Sequence, residues 1–332
     1  MSVKIGPYQL SSPVLLAPMA GTSDKPFRKI CRHFGAGLTT SEMVIMQEHL
    51  LKTNKSKYRL DFSGEDSPIS IQIAGSEPDE IANYAQQAVN FGAEIVDINM
   101  GCPAKKVCNK DSGSALMKDE SLVCEILKKT VNSVSVPVTL KMRTGWDDDN
   151  KNALSIAKMA EDIGVQMIAI HGRTRIDKFS GDAEYDTAYE VASSVAIPVI
   201  ANGDIVDKFQ AKQILNETPI SGVMIGRAAQ GNPWVFKEIS EYINNIENTN
   251  PIDTSYKIKT ILEHINSIHS FYGEELGVIL ARKHIFWYSK SLDPNGYQNF
   301  WSKINKLKNH EEQYKVLEDY LNQYGRKVKN KT

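Results

Sequence analysis

The first residues in this chain with the makings of chemistry lie in INMGCPAKKV, Ile98 to Val107. A thiol, Cys102, sits between Gly101 and Pro103 at the end of an apolar run, and Lys105 and Lys106 follow. Glycine and proline fix the backbone on either side, as though the sulfur must be held in one place. Nearby lysines favour a thiolate nucleophile. With an ordinary pKa of about 8.5, the thiol stays mostly protonated at neutral pH and can instead serve as a general acid. A cysteine is also often no more than a small buried hydrophobe. Residue chemistry alone leaves these three roles open.

A second group of polar residues recurs at the ends of apolar runs: Gln72, Asn99, Lys141, Arg143, His171, Arg173, Asn202, Asp204 and Arg227. In ANGDI and MIGRAAQGNP the glycines let a backbone approach a ligand, and Arg227 can fork onto phosphate oxygens. Both point to a phosphorylated ligand. Pro18, Met19 and Ala20 in APMAG offer small apolar groups on which a flat ring can lie. The Gln72 amide matches an imide edge, and Lys141 can stabilise negative charge on a reduced isoalloxazine, so the ligand is expected to be a flavin. Lys141 as a Schiff-base lysine is the alternative, and it leaves the cysteine loop unexplained. No metal site is expected. His264 and His269 are five residues apart rather than four, and Cys102 and Cys108 lack a second pair at zinc spacing.

The elements that position these groups are eight short apolar runs: Val14–Ala20, Gly37–Met43, Ile69–Gly75, Ile95–Gly101, Pro137–Arg143, Met167–Arg173, Pro198–Asp204 and Gly222–Ala228. They barely alternate in polarity, which marks strands buried on both faces, and helical patterns separate them. Eight such repeats close into a (β/α)8 barrel, an α/β fold of about 250 residues with its active site at the C-terminal ends of the strands. An open doubly wound sheet is the alternative, but no Gly-x-Gly-x-x-Gly opens a first helix. The barrel is assigned to residues 1–248. Residues 249–332 read as a small helical bundle, with periodic segments at Tyr256–Tyr272, Leu276–Ser289 and Glu311–Tyr324.

The 332 residues carry a formal net charge of -1, so any nucleic-acid surface must be local. From Arg282 to Thr332 there are 11 Lys or Arg against 5 Asp or Glu, an excess of +6, with Trp287, Tyr288, Tyr297, Phe300 and Trp301 among them. Such aromatics can stack on nucleotides or form the bundle's core. Four cysteines make no disulfide framework, and no run reaches the ~18 apolar residues of a membrane span. Cys31 and Cys124 fall on apolar helix faces and are expected in the core. The sequence is read as that of a cytoplasmic protein with no membrane partner.

Taken in order, APMAGTSDKPFR, SEM, QIAGSEP, DINMGCPAKKV, GSALM, LKMRTGW, IHGRTR, ANGDI, IGRAAQGNPW and ARKHIFWY closely resemble the tRNA-dihydrouridine synthases, and within them the bacterial B subtype. The match runs from Ile5 to about Tyr324. Cys108 and Asp111 are local variations within it. The resemblance implies an FMN enzyme that reduces the C5–C6 bond of uridines in tRNA with NADPH, or NADH, as reductant. It implies a flavin site of Pro18, Met19, Ala20, Gln72, Lys141, Asn202, Gly203, Asp204, Gly226 and Arg227. Cys102 would give a proton to uracil C5 while hydride goes to C6. Asn99, His171 and Arg173 would hold uracil and flavin, with His171 and Arg173 forming a cationic edge toward the phosphodiester. Lys105 and Lys106 would meet tRNA phosphates, and the helical tail would bind tRNA. The subtype suggests the D-loop, with position 17 as a first guess, and a chain that is monomeric away from tRNA. Two other functions remain: a flavin barrel acting on a free pyrimidine, as in the dihydroorotate dehydrogenases, and a non-catalytic RNA-binding scaffold.

Overall fold

The structure, a computed structural model, describes residues 3–104, 112–216, 219–246 and 252–330. A hairpin of Lys4–Ile5 and Tyr8–Gln9 opens the chain. Eight strands follow: β1 (Val14–Leu16), β2 (Leu38–Thr39), β3 (Ser70–Ile73), β4 (Ile95–Met100), β5 (Val138–Arg143), β6 (Met167–His171), β7 (Val199–Asn202) and β8 (Gly222–Ile225). All neighbours pair in parallel in the order β2-β1-β8-β7-β6-β5-β4-β3. Single parallel bridges, Thr40 to Ser70 and Val44 to Ile73, join β2 to β3 and close the barrel.

The α-helices among the described residues are α1 (Lys25–His33), α2 (Glu48–Leu51), α3 (Asn54–Arg59), α4 (Pro78–Asn90), α5 (Glu120–Ser133), α6 (Ala153–Ile163), α7 (Asp186–Ala192), α8 (Lys208–Asn216) and α9 (Val235–Ile243), then α10 (Thr254–Tyr272), α11 (Glu274–Leu292), α12 (Tyr297–Ile304) and α13 (His310–Lys329), with 3-10 helices at Gly113–Lys118 and Arg227–Ala229. The proposed boundary near residue 248 lies outside the described residues. Among the described residues no helix is long and apolar enough to cross a membrane.

Every residue of β4 and of β5 is buried, which is why those runs show no alternation in the sequence. One core fills the barrel: Leu15, Leu38, Ile95, Met167, Ala169, Ile200 and Met224 pack together, and Val3, Ile5 and Leu10 from the hairpin segment join them. The other core lies between the strands and the helices and continues into α10 and α11. The hairpin thus plugs the barrel, a role that two-residue strands do not announce in the sequence.

The strands stop earlier than the apolar runs suggest. In the first, Ala17 N–H makes the last ladder bond, to Ile225 O at 2.9 Å. Pro18 has no N–H to continue it. Met19 N–H turns instead to Ser23 Oγ at 2.8 Å, and that hydroxyl donates to Ala17 O at 3.0 Å. Residues 17–20 are therefore a turn at the barrel mouth.

Candidate active site

A cavity of about 820 Å³ opens at the C-terminal ends of the strands, within the size range of cofactor pockets. Pro18, Met19, Ala20, Gln72, Asn99, Cys102, Lys141, His171, Asn202, Gly203, Asp204, Gly226 and Arg227 all line it. Arg173 is buried behind the lining. Lys105, Lys106, Cys108 and Asp111 lie outside the described residues. Cys31, Cys102 and Cys124 are thiols rather than disulfides; Cys31 is fully buried, whereas Cys124 is only half-buried.

One side of the cavity is a side-chain amide chain. Thr139 Oγ donates to Asp97 Oδ1 at 2.6 Å, and Gln72 Nε2 donates to Asp97 Oδ2 at 2.7 Å. Asn99 Nδ2 donates to Gln72 Oε1 at 2.7 Å, and Asn99 Oδ1 accepts from Cys102 N–H at 3.0 Å and Gly101 N–H at 3.3 Å. Asp97 therefore sets the orientation of Gln72, Gln72 that of Asn99, and Asn99 holds the backbone that carries the thiol. Burial raises the Asp97 carboxyl to about 6, although Thr139, Gln72 and Lys141 all pull it back. Ser114 closes the loop from the far side, its N–H and Oγ both donating to Cys102 O, at 3.2 and 3.0 Å.

Arg143 ties this loop to its neighbour. Its Nε donates to Gly101 O at 2.7 Å and its Nη1 to Thr174 O at 2.8 Å. The residue is 2% exposed and also lines the cavity. Sequence reasoning placed Arg143 at the mouth without a role. Its contact with a carbonyl 42 positions away has no local signal.

On the neighbouring strand, next to Asn99, Lys141 Nζ donates to Asn202 Oδ1 at 2.9 Å, and Asn202 Nδ2 donates to Met224 O at 2.8 Å. Burial lowers the Lys141 ammonium to about 8, with Arg143 adding to the effect and Asp97 and Cys102 opposing it. Lys141 is thus mostly cationic at neutral pH. His171 is pushed down to about 2, first by burial and then by Lys141, Arg143, Arg173 and Arg227. It therefore adds no charge to the edge where a cationic pair with Arg173 was expected. The positive charge there belongs to the arginines.

The glycine-rich end is built on Asp204. Arg173 Nη2 donates to Asp204 Oδ2, Ala183 N–H donates to the same oxygen at 3.2 Å, and Arg227 Nη2 donates to Oδ1 at 2.6 Å. Burial alone would raise Asp204, but the Arg173 hydrogen bond and charge, with Ala183 and Arg227, hold it below the usual carboxylate range. Gly203 has φ of 120°, and a Cβ there would lie 2.7 Å from Ala183 Cβ, so only glycine fits. At Gly226 a Cβ would meet nothing closer than Ala17 Cβ and Met19 Sδ, both at 3.9 Å. It would take up cavity space instead. Arg227 is 59% exposed, so its guanidinium can still reach a ligand.

These residues suit a flavin nucleotide. Two buried polar atoms in this region, His171 Nδ1 and Arg173 Nη1, have no protein partner among the described residues. Such atoms are costly to leave unmatched and mark where a polar ligand would bond. Gln72 Nε2 keeps a second proton for the same purpose. Among the described residues no group of three or more His, Cys, Asp or Glu is placed to hold a metal.

A dihydrouridine synthase family model matches residues 15–325, nearly the whole chain. The chain belongs to the dihydrouridine synthase family. Among curated members, a protein named tRNA-dihydrouridine synthase B from Pseudomonas aeruginosa is 50% identical over 305 residues, covering 92% of this chain and 91% of its own length. Proteins of the same name from Vibrio parahaemolyticus and Pasteurella multocida are 51% and 48% identical, covering 87% and 96% of this chain and 89% and 96% of theirs. At greater distance, the crystal structure of the Amycolatopsis orientalis BexX/CysO complex contains a chain 13% identical with a TM-score of 0.51, covering 75% of this chain and 97% of its own. That likeness concerns the fold alone. The strand-end residues above thus line one cavity rather than lying as scattered loop polarity.

Proposed function

We propose that this enzyme reduces uridines of tRNA to 5,6-dihydrouridine, using FMN and NADPH, or NADH, and acts in the D-loop with position 17 as the first candidate. The observation that carries the reading is one cavity lined by Cys102 together with Gly203, Gly226 and Arg227. The names of the relatives point the same way.

The cradle would hold the phosphate of FMN, Pro18 to Ala20 would support its ring, and Gln72 and Lys141 would meet its polar edge. When bound, the flavin supplies the hydride for uracil C6. The protein supplies the rest. Lys141, largely protonated, offsets negative charge on the reduced ring. Asn99 and neutral His171 offer hydrogen bonds to the uracil without competing for its proton. Cys102 holds a proton on Sγ for C5, and Asn99, Arg143 and Ser114 keep its loop from drifting, which matters because slack in a proton donor costs rate directly. The target base must leave its stack to reach this pocket, at a cost of a few kcal/mol. The helical tail would provide a basic surface for the phosphates that come with it.

The test is the loss of dihydrouridine. Mapping tRNA from cells with and without this gene should show one or more D-loop positions that depend on it, and purified yellow protein should restore them with NADPH. Protein that stays colourless after incubation with FMN would sink the flavin reading. Activity on free pyrimidines but not on tRNA would favour the alternative flavin barrel.

A further inference from the structure

The loop after β6 carries two exposed apolar side chains, Ile176 at 53% and Phe179 at 58% exposure. The proposed chemistry uses neither. Their loop is not loose. Arg143 holds Thr174 O, and Arg173 Nε and Nη2 hold Ser180 O and Gly181 O at 3.0 and 2.5 Å. Asp177 Oδ2 accepts from Thr174 N–H and Oγ at 2.8 and 2.7 Å. The loop is also zipped to the one after β5, with Arg175 N–H on Gly145 O at 2.9 Å and Ile176 N–H on Trp146 O at 3.0 Å. A pre-organised loop that leaves a phenylalanine in water has spent ordering entropy without burying the ring.

The ring's surroundings indicate what would cover it. Phe179 lines the cavity edge, and the guanidinium carbons of Arg143 and Arg227 both lie 5.6 Å from its centroid. Farther along the same ledge, Lys118 Nζ lies 3.6 Å and Arg175 Cζ 4.4 Å from the Trp146 ring centroid. Arg175 Nε is buried with no protein partner among the described residues. Two aromatic rings, each accompanied by cations and joined by paired backbone, match a strand of bases with a phosphate between them. Arg143 links this ledge to Gly101 O, next to the thiol. The ledge therefore adjoins the place where a base at Cys102 would sit.

We propose that the β5 and β6 loops form a stacking ledge for the RNA beside the target uridine. Phe179 stacks on the neighbouring base, and Arg175 with Lys118 takes the phosphate beyond it. The inference rests on the tRNA reading above and extends it to residues that reading leaves idle.

The full-length, flavin-loaded enzyme tests it through Phe179→Ala, with Phe179→Trp as the conservative partner. The KM for tRNA in dihydrouridine formation should rise about 5- to 150-fold in the Ala variant, the range of one stacked base, with a far smaller change in the KM for NADPH. The Trp variant should restore most of the loss. Lys118→Gln should lower the salt dependence of tRNA binding by about one phosphate contact. An unchanged tRNA KM in Phe179→Ala would overturn the ledge while leaving the function intact. A raised KM for NADPH with unchanged tRNA affinity would reassign the ring to the nicotinamide, and loss of yellow colour would reassign it to the flavin site. A wild-type enzyme that forms no dihydrouridine would remove both readings together.

Discussion

The barrel mouth and the seam between α1 and the tail helices both bury histidines, and the two places hold them neutral for different ends. At the mouth, burial and four cations depress His171, which lines an 820 Å³ cavity. At the seam, His264 is lowered to about 3 by burial with a smaller push from Lys283, and His284 is lowered well below its ordinary value by burial, His264 and Lys283. There the rings pack on one another: His284 lies 4.9 Å from His264, 5.5 Å from Phe27 and 5.1 Å from Trp287, and His264 Nδ1 meets Tyr288 OH at 2.9 Å. Neither nitrogen of His284 has a protein partner among the described residues, yet the residue is 1% exposed. An unmatched polar atom points to a ligand only where there is room for one. At the seam it is simply a cost that the packed interface carries.

The largest effect is expected at the mouth. Cys102→Ala should lower dihydrouridine formation by roughly 10²–10⁴-fold, the effect of losing a positioned general acid, while the flavin is still reduced by NADPH. Cys102→Ser should be nearly as poor, because a hydroxyl is the weaker acid. Rapid mixing separates the two half-reactions, and normal tRNA reduction by the Ala variant would refute the assignment.

A smaller effect is expected at the cradle. If Arg227 holds the FMN phosphate as proposed, Arg227→Ala should weaken FMN retention roughly 10- to 100-fold, read by flavin release on dilution. Retention at the wild-type level would place the phosphate elsewhere.

In the tail, Lys303, Lys306 and Lys308 are exposed around the end of α12, whereas Phe300 stacks on Tyr320 at 3.8 Å and Trp301 packs on Phe286 at 5.2 Å. The lysines, rather than these aromatics, are therefore placed to meet RNA. Changing all three to Glu should lower tRNA affinity at low salt and flatten its salt dependence by about one unit of slope per lysine. An unchanged slope would leave the tail with a structural role.

The smallest effect sharpens the comparison at the seam. An imidazole whose folded pKa lies below its unfolded value of about 6.5 binds its proton first in the unfolded chain. Stability is therefore lost as pH falls through 6.5, by about 1.4 kcal/mol per pH unit for each such histidine. Asp24 and Asp97, both raised to about 6 mainly by burial, act oppositely and lose stability as pH rises from 3.8 toward 6. The difference between variant and wild type isolates the histidine. His284→Leu forfeits no hydrogen bond among the described residues, and its stability should fall less steeply between pH 6 and 5, by about 1.4 kcal/mol per unit. Parallel pH curves in denaturant titrations would contradict a neutral His284.

Much of the cavity lining was legible because strand ends in a barrel converge: Gln72, Asn99, Lys141, His171 and Asn202 lie toward the ends of separate runs in the sequence and line one cavity in the structure. Arg173 was legible as a mouth residue, but it works from behind the lining by bonding Asp204. Arg143, Ser114 and Asp97 act through other residues' backbones or amides, and nothing in their local sequence shows it. Phe179 follows a run of polar residues and reads as loop until its exposure is seen beside two guanidiniums.

The eight buried strands, the helices between them, the helical tail and the residue types at the mouth are all readable from the chain's own order of residues. Each of these is a local pattern: unbroken apolar runs, 3.6-residue periodicity, and glycine or proline at a turn. The tertiary structure alone decided that the N-terminal hairpin plugs the barrel, that β2 and β3 close it by two bridges, and that Arg143 joins the thiol loop to the β6 loop. It also decided which histidines face a cavity and which are packed among rings. Burial, and the charge a group feels, depend on neighbours far away in the chain, so of two histidines held neutral alike His171 faces a cavity and His284 is packed among rings.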